Sequence, residues 1–221
     1  MARNSVPAVP SKSDVASKIA SAILGFIANT PTSRQRSSSS PEDSAKKIAN
    51  KAAATAATVA GTLALPPGPL GWLTILPEMV GVWKIQAQMV ADIAALYGKT
   101  VTLTQEQMLY CLFKHSAAQA LRDLVVRVGE RVIIKHASLG VMQSIAQKIG
   151  VKVTQRVIGK SLSRWLPIVG ALGVGAYAFY DTAQVASTAI ELFSQEIDPA
   201  TSPQEAVSPG QKSRKRVRAI S

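Results

Sequence analysis

The sequence predicts an all-α fold: a single helical domain built around two apolar helical hairpins that Gly and Pro interrupt. Three observations predict it. Apolar residues recur at helical spacing, several segments begin with strong helix-start signals, and no segment alternates apolar and polar residues long enough to require a sheet. The chain has 221 residues, of which 47% are hydrophobic and 17% are charged. This composition excludes a wholly disordered chain and suffices for one core.

Residues 1–44 are expected to form an N-terminal unit outside the main domain. After Ser11, the side chains of Val15, Ile19, Ile23 and Phe26 follow helical spacing, which predicts an amphipathic helix that ends near residue 29. The following segment, 30–44, is rich in Ser, Thr and Pro, so we expect a disordered linker there.

The main domain is predicted to span residues 45–197. Its first helix begins at Ser40-Pro41, where a hydroxyl cap precedes a proline in the first turn, and it is expected to run to about Leu65. The segment Pro66–Gly71 predicts a tight turn. A long helix then covers residues 76–97 and ends at Gly98, a residue suited to the left-handed conformation.

Four further helices complete the expected fold. Thr104 and Gln107 have the spacing of a capping box and start one helix. Residues 117–137 and 141–164 are predicted as two more, and residues 166–194 as the last. Residues 198–221 predict a disordered basic tail.

The two apolar hairpins lie around residues 60–83 and 165–180. Residues 52–77 carry no charge, but prolines and glycines interrupt them, so a clean single transmembrane helix is not expected. A hairpin that dips into a bilayer and a hairpin buried in a soluble core both remain open. In either environment Gly170, Gly173 and Gly175 would allow another helix to approach closely.

Five basic residues fall at every fourth position, and we call them the basic ridge. On a helix this spacing drifts by only about 40° per step, so the charges form one slowly winding line. No acidic residue lies between Glu130 and Asp181, so we expect no local counter-charge. The ridge therefore predicts binding to an anionic membrane surface, and the alternative is an ordinary solvated helix face. Its members are Lys148, Lys152, Arg156, Lys160 and Arg164.

The net charge of +12 points to an anionic partner. The tail, which carries Lys212, Arg214, Lys215, Arg216 and Arg218, suggests nonspecific nucleic-acid binding as a further property. Cys111 is the only cysteine, and no secretory signal is evident, so a cytoplasmic location is expected, with the protein peripheral to the membrane or partly inserted. The sequence gives no oligomeric state.

No residue pattern predicts a metal site, a cofactor or a catalytic centre. Cys111 and His115 lie four residues apart, but further ligands are missing and the cysteine lies in an apolar stretch, as inert buried cysteines do. The acids Glu78, Asp92 and Asp181 lie in or beside apolar elements, and structural roles are expected for them. A hydrolase that uses such acids in a cleft between helices is the alternative.

Several motifs resemble the EcsC family. The segments Gly68-Pro69-Leu70-Gly71-Trp72 and Leu76-Pro77-Glu78-Met79 precede Ile93-Ala94-Ala95-Leu96-Tyr97-Gly98, which is similar to the family's helix ending in a Tyr-Gly signature. Leu166-Pro167-Ile168-Val169-Gly170-Ala171 resembles its C-terminal element. The matching positions are Pro77, Tyr97, Gly98, Pro167 and Gly170. This resemblance implies an all-helical protein that is cytoplasmic or peripheral to a membrane and associated with a membrane complex.

Together these observations predict a helical protein without enzymatic activity. It would bind an anionic membrane, by surface contact or by hairpin insertion, and a membrane protein complex. Besides the hydrolase, a toxin or immunity-type module that inserts into target membranes remains an alternative.

Overall fold

The computed structural model describes residues 11–63, 71–100, 103–129, 131–160 and 167–195. They form six helices and one two-stranded antiparallel sheet, so the all-α prediction is confirmed. The elements in chain order are α1 Lys12–Ile27, α2 Pro41–Leu63, α3 Gly71–Leu96, α4 Gln105–Ala117, β1 Val125–Val128, β2 Arg131–Ile134, α5 Leu139–Lys160 and α6 Pro167–Gln195.

The helix starts and ends follow the local signals. Ser11 caps α1 in a capping box with Asp14, and Thr104 caps α4 in the predicted box with Gln107. The backbone N–H of Gly98, at φ +73°, donates to the carbonyl of Ala95 just after the last turn of α3. The start of α3 differs. The helix begins at Gly71 and continues through Pro77, because a proline removes one backbone donor without always ending a helix.

Two helix pairs hold the fold together, and both rely on very small residues. α1 packs on α5, where Gly150 lies directly against the backbone of Ala16 and Ala20. α2 packs on α6, where a Cβ added at Gly175 would lie 3.0 Å from the carbonyl oxygen of Ala57. Such close approach is possible because neither glycine carries a side chain.

The core lies where α3 and α4 fill the space beside these pairs. Trp83 of α3 and Phe113 of α4 meet edge to face, with their ring centroids 5.4 Å apart. α4 is buried along most of its length, and Met108, Leu109 and Leu112 are almost wholly inaccessible to solvent.

The helix predicted over residues 117–137 is wrong. After a 3₁₀ turn at Arg122–Leu124, β1 and β2 form a hairpin in which Val128 faces Arg131. Gly129, which follows Val128, has the positive φ (+62°) that tight hairpin turns require. The β-branched side chains of this stretch favour strands once a core surface is available. Val125, Val132 and Ile134 pack against the core.

A buried carboxylate ties this hairpin to α4. The backbone N–H of Ala137 donates to Glu106 Oε1 at 3.0 Å. Burial alone would raise the pKa of Glu106. The hydrogen bonds from Ala137, from its own N–H and from Thr104, together with nearby His136, instead hold that pKa below its usual value. The negative charge of Glu106 thus helps to hold the chain where it leaves β2.

The disordered linker predicted over residues 30–44 is also wrong, because this segment lies along α3. Ser33 Oγ donates to Asp92 Oδ1 at 2.6 Å, Gln88 donates to the carbonyl of Thr32, and Ser38 N–H donates to the carbonyl of Leu96. Hydrogen bonds with groups of α3 thus hold this segment, which has few apolar residues of its own, against the helix. Since α1 contributes Ile19 and Ile23 to the core, residues 11–44 pack with the main domain.

The contact between α1 and α5 predicts that Gly150→Ala destabilises the protein. The added methyl group would overlap the carbonyl oxygen of Ala16, a backbone atom that cannot rotate away. We expect the free energy of unfolding to fall by about 1–3 kcal/mol, measured by urea denaturation. Gly140→Ala is the matched control, because an added Cβ there meets no neighbour within 4 Å. Equal effects at the two positions would contradict this packing.

Candidate functional site

The described part of the basic ridge lies on the solvent-facing side of α5. Lys148 and Lys152 are exposed, whereas Ile145, Ile149 and Thr154 face the protein interior. Lys148 Nζ is 3.8 Å from Asp123 Oδ2, and Lys152 Nζ donates to Gln119 Oε1 at 3.4 Å. The expectation that the ridge has no local counter-charge is therefore wrong at Lys148. This exposed ion pair contributes little free energy, however, and it leaves Lys148 accessible to other anions.

α5 is helical to Lys160, so Arg156 and Lys160 continue the four-residue spacing in its last two turns. Arg164 lies outside the described residues.

The amino-terminal half of α6 exposes an apolar face, which we define as Leu172, Ala176, Tyr177, Phe179 and Tyr180. At helical spacing these residues share one side of the helix. Leu172 is 71% exposed, Tyr180 is 61% exposed, and Tyr177 and Phe179 are each 44% exposed. A cluster of large exposed apolar side chains marks an interaction surface.

This face lies on the first half of α6, where residues 167–180 carry no charge. Gly175 lies at the level of Ala57 and Gly61 of α2, and a Cβ added at Gly81 of α3 would lie 3.8 Å from the Val59 side chain. The uncharged residues 52–63 of α2 therefore lie beside the uncharged start of α6, and α3, whose first half carries Glu78, lies next to them. Only six residues separate Lys160 from Pro167, so the end of the basic ridge is at most about 25 Å from the start of α6.

The three glycines predicted to pack helices have different surroundings. Gly175 contacts α2, whereas a Cβ added at Gly173 would meet no atom within 4 Å. Gly170 lies in the first turn of α6.

The positions that match the EcsC-like motifs lie at helix ends, except for one that lies inside a helix. Pro167 is the first residue of α6, a position that favours proline. Tyr97 and Gly98 end α3, and Pro77 lies within it.

The structure also brings together a polar cluster that joins three helices. His115 Nε2 of α4 lies 2.7 Å from Asp181 Oδ1 of α6. Gln86 of α3 donates its amide to Asp181 Oδ2 at 2.8 Å and to Thr182 Oγ1 at 3.1 Å. Gln86 and Thr182 are fully buried, and the His115 and Asp181 side chains are 16% and 18% exposed.

Sequence reasoning named both His115 and Asp181 among the candidate functional residues but missed Gln86 and Thr182. The available signal was two amides, Gln86 and Gln88, within the apolar stretch around Ala87, Met89 and Val90. A polar residue in such a stretch needs a buried partner, but the sequence does not indicate which one.

The cluster pairs a histidine with a carboxylate. His115 Nδ1 and Gln86 Oε1 are both buried and have no hydrogen-bond partner among the described residues. Cys111, one helical turn before His115, is also fully buried. Asp92, which lies on α3 six residues after Gln86, instead accepts hydrogen bonds on Oδ1 from Ser33 and Gln88. Of the acids considered for a hydrolase, Asp181 therefore bonds to His115, and the cluster links α6 to α3 and α4.

Two further searches apply to the same described residues. They contain no group of three or more His, Cys, Asp or Glu residues arranged to hold a metal ion. None of their helices combines the length and the apolar character needed to cross a bilayer.

The polar cluster predicts a measurable coupling between α4 and α6. Asp181→Ala should lower the free energy of unfolding by about 1–3 kcal/mol, because the buried Gln86 amide and the His115 ring lose their shared acceptor. In a double-mutant cycle with His115→Ala, the two changes should be non-additive by at least about 0.5 kcal/mol. Asp123→Ala, which removes only the exposed partner of Lys148, is the control and should cost less than about 1 kcal/mol. Strict additivity would show that the His115–Asp181 bond contributes nothing.

Comparison with known proteins identifies no relative: no family model, no curated protein and no solved structure matches this chain. The EcsC resemblance therefore stays a prediction.

Proposed function

We propose that this protein binds the surface of anionic membranes as a peripheral, non-enzymatic helical protein and there contacts a membrane protein complex. The observation that carries the proposal is the apolar face of α6, with its exposed leucine, phenylalanine and tyrosines on a half-helix that carries no charge. The basic ridge supplies the electrostatic part of the attraction.

Electrostatic attraction would bring the protein to the membrane. Each Lys or Arg close to an anionic bilayer contributes about 1 kcal/mol of binding free energy. Lys148 and Lys152 are exposed and lie on one side of α5, so both can approach the headgroups together. Their neighbours Asp123 and Gln119 hold them only by long surface contacts.

Burial of the apolar face would then hold the protein there. A helix that lies in the interface buries its apolar side about 5–10 Å into the boundary between headgroups and acyl chains. Tyr177 and Tyr180 suit this depth, since a phenolic ring places its body in the apolar layer and its hydroxyl among the headgroups. Leu172 and Phe179 would contribute purely apolar area.

Surface contact is better supported than hairpin insertion. The described parts of the two apolar hairpins belong to α2, α3 and α6, which pack on one another through Gly81 and Gly175. Insertion of either hairpin would have to break this packing, whereas surface contact uses side chains that are already exposed. An EcsC-like role beside a membrane complex is consistent with surface binding.

The alternatives have less support. For the hydrolase, one observation is favourable, the hydrogen bond between His115 and Asp181, but the free ring nitrogen is buried. For the toxin or immunity-type module, no contact among the described residues adds support. The basic tail proposed to bind nucleic acid lies outside the described residues.

The basic ridge gives the first prediction of this proposal. Lys148→Gln combined with Lys152→Gln should weaken binding to phosphatidylglycerol-containing vesicles by about 30-fold, because two favourable charges are lost. Vesicle co-sedimentation at low salt measures this. The control is Lys47→Gln with Lys51→Gln, two exposed α2 lysines with the same spacing and the same total charge. Equal loss in both variants would mean that only net charge matters and would contradict a role for the ridge.

The apolar face gives the second prediction. Leu172→Ser combined with Phe179→Ser should reduce the vesicle binding that persists at high salt, because that part depends on apolar burial and not on charge. We expect a loss of at least about tenfold, measured by vesicle flotation. Ile133→Ser with Val128→Ser changes two exposed apolar residues of the β-hairpin and serves as the control. Unchanged salt-resistant binding in the α6 variant would exclude this face.

A further inference from the structure

We propose that a groove between α1 and α3 binds a single anionic acyl chain, such as that of a fatty acid. The groove is separate from the apolar face of α6, and the inference does not depend on membrane binding. Ala22, Gly25 and Phe26 of α1 form one wall, Val80 and Lys84 of α3 form the other, and Pro31 lies at one end.

The groove has the size and lining of a small-molecule site. Its volume is about 510 Å³, within the range of about 300–1,000 Å³ that is usual for such sites. The walls are mostly apolar, and polar groups are few. An elongated apolar ligand would therefore bury most of its surface between the two helices.

Gly25 indicates that the groove is kept open. A glycine inside a helix costs about 0.5–1 kcal/mol relative to alanine. At Gly150 and Gly175 this cost is explained, because a Cβ would press on the backbone of a neighbouring helix. At Gly25 an added Cβ meets nothing within 4 Å. Gly25 therefore leaves this wall of the groove without a side chain, and the space above it is open to a ligand.

The positive charge of Lys84 favours an anionic ligand. It is exposed and lines the groove from α3. The neighbouring acid on α3, Asp92, already accepts hydrogen bonds on Oδ1 from Ser33 and from Gln88, another lining residue. A carboxylate or phosphate headgroup beside Lys84 would gain a charge-assisted hydrogen bond, while the chain lies along Ala22, Gly25 and Val80.

The test measures laurate binding to the full-length protein by isothermal titration calorimetry, below the micelle concentration of laurate. Gly25→Leu should weaken binding by at least about tenfold, because the new side chain fills the groove without touching the protein. Lys84→Gln should weaken it by about fivefold and should remove the preference for laurate over the uncharged dodecanol. Far-ultraviolet circular dichroism checks that each variant is folded.

Gly140→Leu is the matched control, since Gly140 also has open space above it but lies on α5. Loss of binding in Gly25→Leu alone supports the site. Tighter binding of lysophosphatidylglycerol than of laurate also supports it, and would identify the bound acyl chain as part of a membrane lipid and not as a free fatty acid. Equal binding by wild type and Gly25→Leu overturns the site. Equal binding of dodecanol and laurate by wild type overturns the anionic class of ligand. Neither outcome bears on vesicle binding by the α5 and α6 variants.

Discussion

The structure depends on close contact between helices that carry very small side chains. At Gly150 against Ala16 and at Gly175 against Ala57, one helix touches the backbone of another. These contacts fix two helix pairs, α1 with α5 and α2 with α6, and they place the larger side chains of α3 and α4 between them. An alanine-rich sequence has few large side chains to interlock, so it gains packing density by shortening the distance between helices.

This packing decides which surfaces remain exposed. α6 is held at its middle by Gly175 on α2 and by Asp181 in the polar cluster. The side of the helix opposite these contacts must face solvent, and it carries Leu172, Phe179 and Tyr180. A soluble helix normally exposes polar residues on that side. The exposed apolar side chains are therefore best explained by a partner, and the lack of charge over residues 167–180 of α6 favours one that is itself apolar.

The basic ridge and the apolar face lie on different helices, α5 and α6, and this separation suits a protein at an interface between water and lipid. The exposed lysines of the basic ridge lie on α5, whereas residues 52–63 of α2 and 167–180 of α6, which meet beside Gly175, carry no charge. A protein oriented in this way can place one region among headgroups and another at the acyl boundary. The groove at Gly25 lies on a different pair of helices, α1 and α3, so surface binding and ligand binding need not compete.

The sequence by itself determined six helices, most of their ends and the basic spacing on α5, because capping, proline position and apolar periodicity act over a few neighbouring residues. It did not determine the hairpin at residues 125–134 or the course of residues 30–40, since their structures depend on the core and on α3. The partnership of Gln86 with Asp181 joins residues almost a hundred positions apart. Only the tertiary structure decided such contacts, because the energy of a buried polar group depends on which partner the fold brings to it.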